Sequence, residues 1–143
     1  MTSAAHQATE PSPLLSVIYP VFDVRGDAVE RIRLWTEKQD LEPDRYRVFV
    51  VADAETSLDE VRLRQVLRSQ DVILRVPGVG REAHFWNAGA RAAETRWILF
   101  VEAHGSPEPN SLSALAAWIE ATPHGEACNF SIGNLEHHRI AGL

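Results

Sequence analysis

The sequence predicts a three-layer α/β fold built on a mainly parallel sheet. Two features carry the prediction: the candidate strands are apolar throughout, and amphipathic stretches separate them, so the sheet must be covered on both faces. A third bounds it, since 143 residues fit one domain with a real core.

The elements follow in order. Residues 1–13, "MTSAAHQATEPSP", are small, polar and proline-punctuated, and the sequence predicts a disordered tail there. The domain is expected over residues 14–143. "LLSVIYPVF" is a short β-rich run closed by Pro20. Asp27 with Glu30 forms a capping-box-like start for "AVERIRLWTEKQ", whose Ala28, Ile32, Trp35 and Gln39 share a helical face. "YRVFVVA" is a second strand, and Ser57 with Glu60 opens a helix that turns Leu63, Val66 and Leu67 inward. "DVILRV" is a third strand, followed by the glycine loop "PGVGRE" and the alanine-rich helix "AHFWNAGARAAET". "RWILFV" is a fourth strand, where burial predicts that a charge placed at Ile98 unfolds the domain. A helix over residues 111–121 carries Leu112, Leu115 and Ile119 in register and is stopped by Pro123 and Gly125; "ACNFSI" at 127–132 is a candidate fifth strand.

Composition excludes several classes. A formal charge of -6 argues against a general nucleic-acid or anionic-membrane binder, which draws affinity from clustered Lys and Arg. The single cysteine, Cys128, excludes a disulfide framework, suits a reducing compartment and has no activating partner in the sequence. No apolar run approaches the roughly 18 residues of a membrane span, and the first residues lack the form of a signal peptide. A cytoplasmic location is expected.

In sheets of this kind ligands bind beyond the carboxyl ends of the strands, where strand order switches. Polar groups gather at that edge: Asp23 after strand one, Asp53 and Glu55 after strand two, Arg81 after strand three, and Glu102 and His104 after strand four. The acid-x-His spacing is not itself informative. It occurs at Glu82/His84, Glu102/His104 and Glu136/His138, where composition alone gives roughly one. Glu102/His104 is set apart by its place at a strand tip. Residues i and i+2 of an extended chain face one way, so one ion can meet both, and carboxylate with imidazole suits Mn²⁺ better than Mg²⁺. A solvated strand end is the competing reading.

The glycine loop raises an alternative. Gly78, Gly80 and Ala83 match the G-x-G-x-x-A of a dinucleotide (NAD) site, with Glu102 at about the distance of a ribose-binding acid. The match falls at the third strand, leaving too few later strands for a full nucleotide-binding half. Trp35, Trp97 and Trp118 lie on periodic elements and read as packing, whereas Trp86 stands beside the glycine loop.

The order of these pieces resembles the amino-terminal half of family 2 glycosyltransferases. "SVIYPVFD" is similar to that family's opening S-V-I-I-P-x-Y-N strand, and "VFVVADAETS" to its V-V-D-D-G-S-x-D segment, with Asp53 on the second acid. "NAGARAAETRWILFVEAH", from Asn87 to His104, aligns without a gap on N-x-G-x-x-x-A-x-G-x-x-I-x-F-L-D-x-D, which puts Glu102 and His104 on the two acids of the Asp-x-Asp motif. Departures are Ala52 for the first acid of the second motif, Trp86 for a usual arginine, and Glu-x-His for Asp-x-Asp. The last is similar in kind to the Asp-x-His of polypeptide N-acetylgalactosaminyltransferases.

The resemblance implies a GT-A type, Rossmann-like fold, truncated relative to the family. It implies a UDP-type sugar donor bound by Pro20, Phe22, Asp23, Asp53, Glu55, Arg81, Asn87 and Glu102, and a divalent metal on Glu102 and His104. The implied reaction is inverting transfer to an acceptor hydroxyl on a glycan, lipid or protein. The family's general base comes from its carboxyl-terminal half, and "NFSIGNLEHHRIAGL" contains no motif for it, so the sequence assigns no catalytic residue and the chain is expected to be incomplete as a lone catalyst. A non-catalytic nucleotide-sugar-binding module is the alternative within the same resemblance.

Overall fold

The structure is a computed structural model that describes residues 13–22, 25–77 and 81–125. Four expectations lie outside those residues: the tail up to residue 12, the fifth strand with Cys128, the Glu136/His138 pair, and the positions of Asp23, Gly78 and Gly80.

Strands β1 (Leu15–Pro20), β2 (Tyr46–Asp53), β3 (Val72–Val76) and β4 (Trp97–Phe100) form one sheet in the order β3-β2-β1-β4. Every pairing is parallel. A parallel neighbour demands a crossover, and each of the three connections carries a helix: α1 (Ala28–Thr36), α2 (Glu60–Val66) and α3 (Glu82–Ala92). A fourth helix, α4 (Ser111–Ala121), follows β4 and has the bounds expected from its apolar spacing. The predicted α/β class, a parallel sheet flanked by helices, is therefore the observed one.

Alternation along β2 explains the layering. Val48, Val50 and Ala52 face one side with Ile32 and Trp35 of α1, Leu63 and Val66 of α2, and Leu112, Leu115 and Ile119 of α4. Phe49 and Val51 face the other with Ile18 and Phe85 of α3. Val48, Val50 and Val51 are fully buried, each contributing roughly 1.5–3 kcal/mol by leaving water. The outer strands differ: β3 and β4 are half-buried along their lengths, and Phe100 is 47% exposed. Ile98 is thus only half-buried, and the expectation that a charge there unfolds the domain is too strong.

Helix starts also differ from expectation. Asp59, not Ser57, caps α2, its Oδ1 accepting from Arg62 N at 3.0 Å. Asp27 precedes α1 without a capping hydrogen bond, because its Oδ2 accepts instead from Arg31 Nε at 3.1 Å. Helix α1 ends at Thr36, so Gln39 lies beyond it; its amide ties the chain to the start of α4, donating to Glu108 O at 3.0 Å and accepting from Leu112 N at 3.0 Å.

Candidate functional site

All four strands end on the same edge, and the order β3-β2-β1-β4 places the topological switch between β1 and β4. Backbone hydrogen bonds continue the pairing past the strand ends: Val21 N to Val51 O at 2.8 Å, Ala54 N to Val76 O at 2.8 Å, and Val101 N to Ile18 O at 3.3 Å. Ile18 pairs with Phe100, Pro20 with Val51 and Asp53 with Val76, so the ends of β4, β2 and β3 lie along one edge with the end of β1. The tips of β2 and β4 flank β1, about 10 Å apart across two strand spacings.

The segment after β4 is a turn rather than a continued strand, closed by Gly105 N donating to Glu102 O at 3.2 Å. The extended-chain argument for i and i+2 therefore does not apply, and what the turn shows of the pair is that both side chains are exposed. Val101 and Ala103 are buried while Glu102 and His104 are exposed. Both act on one neighbour, Glu82 in the first turn of α3. Burial pushes the Glu82 carboxyl up and the Glu102 carboxylate pushes it the same way, while the Ala103 N–H and His104 pull it down. Glu82 is a neighbour of the candidate pair that sequence reading missed: its own acid-x-His triplet reads as an ordinary helix start, and nothing local announces that its carboxyl senses Glu102, Ala103 and His104.

Backbone carbonyls of this turn are held from three directions. Trp86 Nε1 donates to Val101 O at 3.0 Å, the buried Tyr19 hydroxyl to Ala103 O at 2.6 Å, and Arg31 Nη1 to His104 O at 3.2 Å. Arg31 also bonds Ser106 Oγ and is itself anchored by Asp27 at 3.1 Å.

The β2 tip is organised separately. Asp53 Oδ1 accepts from Glu55 N at 2.9 Å, a side chain-to-backbone turn that leaves Glu55 exposed. Arg75 reaches across from β3, with Nη1 donating to Asp53 O at 2.9 Å and Thr56 O at 2.6 Å, and Nη2 donating to Glu60 Oε1 at 2.8 Å. That hydrogen bond from Arg75 holds the Glu60 carboxyl below its ordinary range.

The remaining candidates fall into three groups. Phe22 packs its ring edgewise on Phe85, centroids 5.1 Å apart, and belongs to the α3-side cluster. Arg81 is exposed at the α3 start. Asn87 is exposed on α3, about 200° round the helix from the buried Gly89, so it faces away from the sheet. Strand β3, after which the glycine motif comes in sequence, is an edge strand of the described sheet, separated by β2 from the β1–β4 switch at which a dinucleotide fingerprint works. Among the described residues no helix is long and apolar enough to cross a membrane, and no group of three His, Cys, Asp or Glu side chains is set to hold a metal ion.

No curated protein matches the chain. Among solved structures, that of S. aureus TarS 1–349 in complex with UDP is similar, with a TM-score of 0.65 at 21% identity, covering 82% of this chain and 38% of that one. Another structure of S. aureus TarS 1–349 gives a TM-score of 0.64 at 20% identity with the same coverage. At such identities the likeness establishes the fold, and this chain spans 38% of the length of those structures. The family model described as glycosyl transferase family 2 matches residues 16–139, from the start of β1 past α4. That match, over most of a sequence folded on a parallel sheet, means that the chain belongs to glycosyl transferase family 2.

Proposed function

We propose that this chain binds a UDP-type nucleotide sugar at the carboxyl edge between β1 and β4 and serves inverting transfer of the sugar to an acceptor hydroxyl. The observation that carries the reading is the exposure of Glu102 and His104 together on a turn at the topological switch of a family 2 chain. The UDP bound to the similar TarS structure supports the choice of nucleotide. In this reading Asp53, at the end of β2, and Glu55, on the turn after it, take the base and ribose, with Pro20 and Phe22 as the floor and Arg81 for phosphate. Asp23 completes the proposed set on the strength of the resemblance alone, whereas Asn87, on the face of α3 turned from the sheet, is left out of it.

A divalent ion fits Glu102 and His104 in part. Carboxylate and imidazole suit Mn²⁺, and Glu102 and His104 would be its protein ligands, since no group of three His, Cys, Asp or Glu side chains is set to hold an ion among the described residues. Such an ion supplies charge neutralisation to the leaving diphosphate. The protein's part is to hold its two donors on a fixed turn, with Glu82 adding negative charge behind them.

The test is calorimetric titration of UDP into the chain with Mn²⁺ or with EDTA, repeated on His104→Ala. Binding that requires Mn²⁺ in the wild type and loses that requirement in the variant supports the reading; equal UDP affinity in EDTA and Mn²⁺ overturns the metal site. A thermal shift with NADH and no metal would favour the dinucleotide alternative, since ligand at a hundred times its Kd adds roughly 2.7 kcal/mol. Transfer needs a general base for the acceptor hydroxyl. UDP binding without release of sugar from a UDP-sugar identifies a binding module rather than an enzyme.

A further inference from the structure

We infer that Tyr19, Trp86 and Arg31 are positioning residues for the Glu102–His104 pair, acting through the backbone carbonyls of the turn that bears it. The inference rests on the donor-site reading above for its consequence, but its geometry stands alone. Four consecutive carbonyls, Val101 to His104, each accept a hydrogen bond: from Trp86 Nε1 at 3.0 Å, Gly105 N at 3.2 Å, the Tyr19 hydroxyl at 2.6 Å and Arg31 Nη1 at 3.2 Å. The three side-chain donors come from α3, β1 and α1, so the turn is fixed against three elements that it does not belong to.

The arrangement answers a physical need. Two exposed side chains on a free turn would sample many separations, and a two-ligand site loses affinity for each rotamer and backbone torsion it must freeze. Holding the carbonyls removes the backbone share of that cost before any ligand arrives. Glutamate has one methylene more than aspartate and so more freedom to lose, which makes a fixed backbone more valuable beneath Glu102. Trp86 also gains an account. Its indole packs on Phe100 with centroids 5.8 Å apart while its N–H is committed to Val101 O, so the bulky residue acts as a hydrogen-bond donor as well as packing. Tyr19 is 1% exposed and its hydroxyl reaches a carbonyl 84 residues away; phenylalanine would fill the same space and leave the carbonyl without it.

The test uses Tyr19→Phe and Trp86→Phe, which keep an aromatic ring and remove a donor. In the presence of Mn²⁺, UDP affinity is expected to fall about tenfold in Tyr19→Phe and Trp86→Phe, the lower end for loss of a residue that orients metal ligands. UDP affinity in EDTA is expected to stay within twofold of wild type. A lower melting temperature with unchanged Mn²⁺-dependent affinity would show a merely structural role and overturn the inference. Amide hydrogen exchange at Val101 and Gly105 in the ligand-free chain is the second readout, expected to quicken about fivefold in either variant as roughly 1 kcal/mol of net hydrogen bonding is lost locally. Unchanged exchange overturns the inference even if UDP never binds, whereas faster exchange in a chain that fails to bind UDP sinks only the donor-site reading.

Discussion

Gly89 of α3 lies directly against Ile18 of β1. A β-carbon added at Gly89 would overlap Ile18 Cγ2 and come within 3.2 Å of both Ile18 Cδ1 and Val51 Cγ2. Ile18 Cγ2 sits on a branched β-carbon in a central strand, stiff at χ1 and unable to swing aside. Alanine would gain about 1 kcal/mol of helix propensity, but overpacking a dense core costs about 1–3 kcal/mol. Gly89→Ala is therefore expected to lose roughly 1 kcal/mol net in urea denaturation, and Gly89→Val considerably more. A more stable Gly89→Ala would mean that α3 does not approach the sheet this closely.

Arg75 carries a prediction about acid. It ties Glu60 to the turn after β2, and its hydrogen bond lowers the Glu60 carboxyl from the ordinary value of 4.5. A depressed folded value means stability that is present above pH 4.5 and lost as pH falls through the lower folded value. Glu60 is substantially exposed, so solvent screens the effect. Glu60→Gln is expected to flatten the acid limb of the pH–stability curve with little change at pH 7. Arg75→Met, which strips donors from Asp53 O and Thr56 O as well, should cost about 1–3 kcal/mol at pH 7. Identical acid limbs in wild type and Glu60→Gln would contradict the assignment.

Strand position sets the tolerance to charge. Val50 is fully buried in β2, between β1 and β3, whereas Ile98 of β4 is half-buried. Val50→Asp is expected to abolish folding, since a fully buried charge without a partner is the costliest of substitutions. Ile98→Asp should leave a folded chain weakened by about 1–3 kcal/mol. Circular dichroism and denaturant midpoints check both, and equal damage would refute the difference between the strands.

Metal and nucleotide should help each other. With two protein donors in the proposed site, Mn²⁺ alone is expected to bind weakly, and saturating UDP should raise its affinity at least tenfold, with Mn²⁺ raising UDP affinity by the same factor. Calorimetry in both orders measures this. Tight Mn²⁺ binding without UDP would show a fuller ligand set than Glu102 and His104.

Much of the fold is legible because burial writes itself into local pattern. β1 and β2 read as apolar runs since both faces are covered, and α4 is legible because Leu112, Leu115 and Ile119 repeat at helical spacing. The misread caps have a common cause. Asp27 and Glu60 match local capping patterns, yet each is taken by an arginine, Arg31 one turn along and Arg75 from another strand. For the candidate site, the strand edge could be read from the order of apolar runs, but the turn that bears Glu102 and His104 could not, since the sequence reads there as an extended strand tip. Glu82, Tyr19, Trp86 and Arg31 could not, because their relation to the turn exists only once α3, β1 and α1 are assembled around β4.

The central position of β1 has a kinetic consequence. Its partner β4 arrives late: Ser16 Oγ meets Thr95 Oγ1 across 79 residues and the Tyr19 hydroxyl meets Ala103 O across 84. Contacts of such long sequence separation form slowly, because the loop entropy must be surrendered before they repay it. A nascent chain emerging from the ribosome can pair β1 with β2 early, but one side of β1 and the phenol of Tyr19 wait uncovered until β4 follows. That interval is when a chaperone, or a neighbouring nascent chain, would find this protein most exposed.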